Sequence, residues 1–177
     1  MGIAVDDGDM TWALGLAATV KRDLKRANIP VKAVNMLPEA SGNLLAISTQ
    51  SPYPRIAQRI MATVFANPNS QYVGTFLIVN EDVDVFNPIE VLHAWASRVH
   101  PEKDIHVYHQ PGSPCTPYCS RQEKENGIAP QVVYDGTWPL DWSEVDKPKL
   151  SSFKTIYPNE IIENVLKRWE DYGFKQV

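Results

Sequence analysis

Apolar and polar positions along the chain change their spacing several times, and each spacing predicts an element. Over residues 9–27 apolar side chains recur at steps of three and four, with Leu14, Ala17, Val20 and Leu24 on one stripe, which predicts a helix capped by Asp9. Val31–Met36 and Leu44–Thr49 read as strands separated by a turn segment over 38–43. Residues 53–66 return to helical spacing with Ile56, Ile60, Met61 and Val64 inward. Residues 72–79 are apolar without alternation, as in a strand covered on both faces. That run breaks into Asn80, Glu81, Asp82, Val83 and Asp84. Asn87-Pro88 follows, an N-cap with proline at the first helical position, and opens a helix to Val99. Residues 106–110 and 131–134 read as strands, and 140–155 as irregular. Residues 159–172 are the best-marked helix: Ile161, Val165, Trp169 and Tyr172 make its stripe, Glu160 and Glu163 sit near its positive end, Lys167 and Arg168 near its negative end, and Gly173 stops it. The alternation predicts an α/β fold, a three-layer mixed sheet with helices on both faces, in a single domain over residues 1–177.

Composition narrows the function classes. A chain of 177 residues can bury a substantial core as one unit. Charges sum to −4, and the densest basic cluster, Lys21-Arg22 with Lys25-Arg26, reads as a solvated helix face, which argues against nucleic-acid binding. Apolar stretches fall far short of the roughly 20 residues a membrane helix needs. The N-terminus lacks the basic and apolar regions of a leader, so the expected setting is cytoplasmic. Two cysteines do not make a disulfide scaffold.

Residues 111–130 form a long stretch without periodicity, and loops of that length in compact domains are more often functional than idle. His106, His109, Cys115 and Cys119 superficially supply a zinc ligand set, but two histidines three apart face opposite sides of a strand and C-x3-C lacks a second tight pair. Cys115 as a nucleophile would need a base or a positive environment, which His100 or His109 could supply but the sequence does not establish. His93 reads as a packing residue. Glu81, Asp82 and Asp84 follow the carboxyl end of a strand, where α/β folds hold ligands, yet three carboxylates without a glycine turn read better as a solvated loop or an ion pair with Arg98. Neither a G-x-S-x-G elbow nor a G-x-G-x-x-G turn is present.

The wording of five segments carries a resemblance. "FLIVNEDVDVFNPIEVLHAWASRVHPEKD" resembles the "VDDDIDv…dVlWAlatRv.P..D" signature of UbiD-type decarboxylases, which use prenylated flavin mononucleotide. "DDGDMTWALGLAATVKRDLKRANIPV" is similar to the start of that family's C-terminal domain, "GSPCTPY" to its G-x-P-x-x-P-Y loop, "VVYDGTWP" to its D-A-T-x-P strand and "YPNEIIENVLKRWEDYGF" to its terminal helix. Five matches in one order are more specific than any one. They correspond to the C-terminal portion of a family member, while the family's flavin-phosphate and metal ligands and its Arg/Glu/Glu catalytic set lie in the portion unmatched here.

The resemblance implies an oligomerisation and substrate-lid domain with no catalytic residue, cofactor or metal of its own. Its implied partner is a flavin-binding N-terminal domain, in the same chain or a separate subunit, and its implied assembly a homo-oligomer. The complete enzyme would hold prenylated FMN with a divalent metal and K+, and would decarboxylate an aromatic or α,β-unsaturated acid reversibly and without oxidation. Ser113 and Cys115 match inward-facing loop positions; being small and polar, they suit a hydroxylated arene. Trp12 or Ala13, within one residue of alignment, and Tyr72 with Gly74 match further pocket positions. Trp12 and Tyr72 serve equally well as core aromatics. The alternatives are a non-catalytic assembly subunit or truncated paralogue and, third, a small free-standing enzyme built on Cys115 and the histidines.

Overall fold

The computed structural model describes residues 7–50, 53–111, 118–148 and 153–174. They divide into two compact units, Met1–Leu140 and Asp141–Val177. The first contains α1 (Asp7–Arg26), β1 (Val31–Met36), β2 (Leu44–Thr49), α2 (Ile56–Phe65), β3 (Thr75–Asn80), α3 (Pro88–Arg98), β4 (Ile105–Pro111), α4 (Arg121–Asn126) and β5 (Ile128–Gly136). The strands form one mixed sheet in the order β1-β2-β3-β5-β4. β2, β3 and β5 run parallel, and β1 and β4 are antiparallel edges.

Strand alternation divides the core into two layers. Leu45 and Ile47 of β2 and Phe76 and Ile78 of β3 pack beneath α1 and α2, whereas Leu44, Ala46, Leu77 and Val79 face α3 through Val91 and Ala94. Residues 76–79 are wholly inaccessible, so unbroken apolarity marks a strand covered twice, as the sequence predicts. Each such side chain contributes roughly 1.5–3 kcal/mol of burial. The fold is the expected three-layer α/β arrangement, and Asn87 caps α3 as expected, its side chain accepting from the Ile89 N–H with Pro88 next.

Several expectations need correction. Leu14 is 67% exposed; the buried stripe of α1 is Ala13, Leu16, Ala17, Val20 and Leu24, because one residue on a helix is a turn of about 100°. α1 already includes Asp7, which places Asp9 inside the helix. His93 is exposed and does not pack. The segment before β3 is a 3-10 turn, Pro68–Tyr72, whose cap Asn67 accepts from the Asn69 N–H. The stretch 111–130 contains α4, held by a reciprocal capping box between Ser120 and Glu123 and stopped by Gly127 at φ 64°. β5 begins earlier than expected, at Ile128. It tolerates Pro130 because its ladder with β3 starts only at Val132.

The second unit holds α5 (Phe153–Ile156) and α6 (Asn159–Lys167). α6 ends a turn earlier than the spacing predicts, and Gly173 follows at φ 82°. Ile162, Val165 and Trp169 are its half-buried positions while Ile161 and Tyr172 are exposed, so its stripe is rotated from the expected one. Trp169 stacks on Phe174 with ring centroids 4.7 Å apart.

Candidate functional site

Because β2, β3 and β5 are parallel, their amino ends gather at one edge of the sheet. β4 runs against β5 and ends at this edge too, with Pro111 opposite Ile128. There Trp12 of α1 meets Tyr72 of the 3-10 turn edge to face, centroids 6.2 Å apart and planes at 79°. Trp12 rests over Gly42, where a Cβ would lie 3.3 Å from the indole; φ of +69° at this position also favours glycine. Trp12 and Tyr72 stay 37% and 38% exposed. Such rings offer a face and an edge to a flat apolar ligand.

The turn carrying Tyr72 is gripped from two sides. Asn67 donates through Nδ2 to the Asp23 carboxylate of α1 at 3.0 Å. Gln131 of β5, buried, donates through Nε2 to Ser70 O at 3.0 Å and Val73 O at 2.6 Å. Gly74 is buried and its carbonyl accepts from the Val132 N–H at 2.9 Å, joining the turn to the β3/β5 ladder. Tyr118, the first described residue after the 112–117 segment, donates its hydroxyl to Pro130 O at 3.2 Å. Ala13 lies in the core, so of the two alternative positions Trp12 is the one open to a ligand. Trp12, Tyr72 and Gly74 converge on this edge; Ser113 and Cys115 lie outside the described residues. Gly42, Asn67 and Gln131 were not singled out from sequence. Only Asn67-Pro68, worded like the cap Asn87-Pro88, carried a local signal.

The carboxyl edge is different. Asn80 Oδ1 accepts from the Trp138 N–H at 2.6 Å, and Glu81 is engaged through its carbonyl by Lys32 at 2.7 Å and through its carboxylate by Gln50 at 3.1 Å. Arg98 forks onto Asp82 at 3.0 and 2.6 Å and lies over the Trp138 ring, 4.6 Å from its centroid. Glu90 accepts from the Asp84 N–H at 2.9 Å. The ion pair expected between this acidic run and Arg98 is thus formed by Asp82. Asp135 accepts from Thr137 N–H and hydroxyl at 3.0 and 2.6 Å; burial pushes its pKa up, against the opposing pull of those two hydrogen bonds. His106 and His109, three residues apart on β4, point to opposite faces, and Cys119 is buried. Among the described residues no group of three His, Cys, Asp or Glu could hold a metal. No described helix is long and apolar enough to cross a membrane.

The comparisons with known proteins point the same way as the wording of the sequence. Over 98% of its length the chain is 26% identical to the pyrrole-2-carboxylic acid decarboxylase of Pseudomonas aeruginosa, covering 37% of that enzyme. Over 79% of its length it is 29% identical to the phenolic acid decarboxylase of Sedimentibacter hydroxybenzoicus, covering 28% of it. The chain therefore spans about a third of the relatives it matches. The closed form of the vanillic acid decarboxylase of Sedimentibacter hydroxybenzoicus superposes with a TM-score of 0.70 at 27% identity, covering 91% of this chain and 33% of that one. The profile of the 3-octaprenyl-4-hydroxybenzoate carboxy-lyase C-terminal domain matches residues 9–136, the span that builds both sheet edges, and the chain belongs to this UbiD family as a C-terminal domain.

Proposed function

We propose that this chain is the lid and assembly part of a UbiD-type decarboxylase, and that its amino edge forms one wall of an aromatic-acid pocket. The observation that carries the reading is the exposed Trp12–Tyr72 pair at the end of the sheet where β2, β3 and β5 begin. The complete enzyme would release the substrate carboxylate as CO2 and place a proton on the vacated carbon. The donor set described here does not fit prenylated FMN with its divalent metal and K+: the carboxylates at the other edge are engaged within the chain, and the amino-edge residues Trp12, Gly42, Tyr72, Gly74 and Gln131 carry no carboxylate, imidazole or thiol. The cofactor, which would supply the difficult bond cleavage, belongs in this reading to a flavin-binding N-terminal domain.

What these residues do is orient and enclose. Trp12 and Tyr72 would pack against the arene and exclude water, with Ser113 and Cys115 adjusting width and polarity. A hydroxylated aromatic acid fits that polarity. Exposed apolar side chains, Phe86, Ile89 and Leu92 around α3 and Phe174 beyond α6, support a homo-oligomer.

Mixing the chain with a flavin-loaded N-terminal domain tests the division of labour. Turnover of aromatic acids is expected only when both are present. Stoichiometric flavin co-purifying with this chain alone would overturn the assignment. Sedimentation at high micromolar concentration should show a dimer or larger, and a sharp monomer would count against the assembly role.

A further inference from the structure

Gln131 is 2% exposed, and both partners of its Nε2 are carbonyl oxygens, which fixes the orientation of its amide. Among the described residues no donor reaches its Oε1. A methionine would fill similar space without that unmet group, so packing alone does not account for an amide here. The two carbonyls it grips, Ser70 and Val73, bracket Tyr72. On the opposite side Asn67 ties the same turn to α1, which carries Trp12. Tyr72 is therefore suspended between a sheet strand and the helix that bears its ring partner.

We propose that Gln131 is a positioning residue of the amino-edge pocket, setting the gap between Tyr72 and Trp12 and thereby which arenes the pocket admits. The inference rests on reading this edge as a substrate wall. Gln131 is too buried to touch substrate and acts through Tyr72. A purely structural amide would alter stability and leave both the ring geometry and the selectivity in place.

Gln131→Met removes the amide at nearly constant length. In the isolated chain the Tyr72 ring protons, assigned by loss of signal in Tyr72→Phe, should move as the ring-current contribution of Trp12 changes, while the remaining spectrum stays folded. Gln131→Glu gives a second handle. A protonated carboxyl donates to Val73 O as the amide does, and an ionised one is repelled by both carbonyls. The Tyr72 signal of Gln131→Glu should therefore titrate, native-like while the carboxyl is protonated and displaced once it ionises, at a pH that burial raises above the ordinary carboxylate range. This arm stands even where Gln131→Met fails to fold. In the enzyme completed with its flavin-binding domain, Gln131→Met should change the kcat/KM ratio between a slim and a hydroxylated aromatic acid about fivefold. An unmoved Tyr72 signal would overturn the proposal. If Tyr72→Ala shifts the ratio and Gln131→Met does not, the positioning role falls while the pocket stands; if neither shifts it, the pocket reading falls and this proposal with it.

Discussion

At one end of the sheet Arg98 is folded onto Asp82 and Trp138 with 10% of its side chain exposed; at the other, Trp12 and Tyr72 each leave more than a third of their surface open. Both ends combine aromatic and polar side chains, and at each a helix residue, Arg98 of α3 or Trp12 of α1, meets an aromatic ring from a connecting segment. At the carboxyl edge, where α/β folds usually keep their ligands, the polar groups around Asn80, Glu81 and Asp82 are engaged within the chain, and that end reads as a closed joint. At the amino edge hydrogen bonds hold the backbone of a turn and leave the rings free. Satisfied charge marks a structural end here, and well-anchored but uncovered aromatic surface marks the one available for binding.

The comparison breaks most visibly if the carboxyl edge is opened. Arg98→Ala removes a two-pronged ion pair, the contact with Trp138 and the packing of the arginine stem, and should cost about 2–3 kcal/mol in urea denaturation while leaving substrate preference in the completed enzyme unchanged. A changed preference would mean that this end also shapes the pocket. Next, Cys115→Leu should redistribute kcat/KM among aromatic acids by roughly tenfold to two-hundredfold, about 1–3 kcal/mol, toward slim apolar ones. An equal loss for every acid would instead indicate overpacking of a core position. Gly42→Ala follows. A left-handed conformation costs a side chain about 1–2 kcal/mol, and the new methyl would press on the Trp12 ring, so thermal unfolding should fall by that amount and the tryptophan emission should shift.

The smallest effect concerns Asp135. Burial raises its folded pKa above the unfolded value, so the folded state binds the proton more tightly and stability falls as pH rises through the window between the two. Asp135→Asn should therefore gain on the native chain at neutral pH and lose that advantage in acid below the unfolded pKa. Denaturation curves at the two pH values check the sign.

Much of the sheet was legible because local rules govern it. The unbroken run of β3 and the Asn87-Pro88 start of α3 each follow from side chains within a few positions. The capping box Ser120-x-x-Glu123 was equally visible in the sequence, and α4 was missed only because the surrounding segment reads as a loop. The candidate site was harder. Trp12 and Tyr72 entered through resemblance, and spacing could not separate Trp12 from Ala13, since a one-residue ambiguity spans more than a quarter-turn of helix. The Gln131 clamp joins residues 61 and 58 positions apart in sequence, which no periodicity encodes. The pairing of Arg98 with Asp82 was guessable from charge, but its stack on Trp138 depends on β5 passing beside β3.

Among the described residues, the strand of this sheet that comes last in sequence is not at its border. β5 lies between β3 and β4, so a nascent chain that has emerged only through Pro111 has neither partner for the open side of β3 nor a neighbour for β4. Insertion of an interior strand closes long sequence separations at a late step, which slows folding and exposes an apolar edge while it waits. Aggregation during synthesis, more than loss of the finished fold, is the hazard this topology carries, and truncations before Ile128 should be recovered as inclusion bodies.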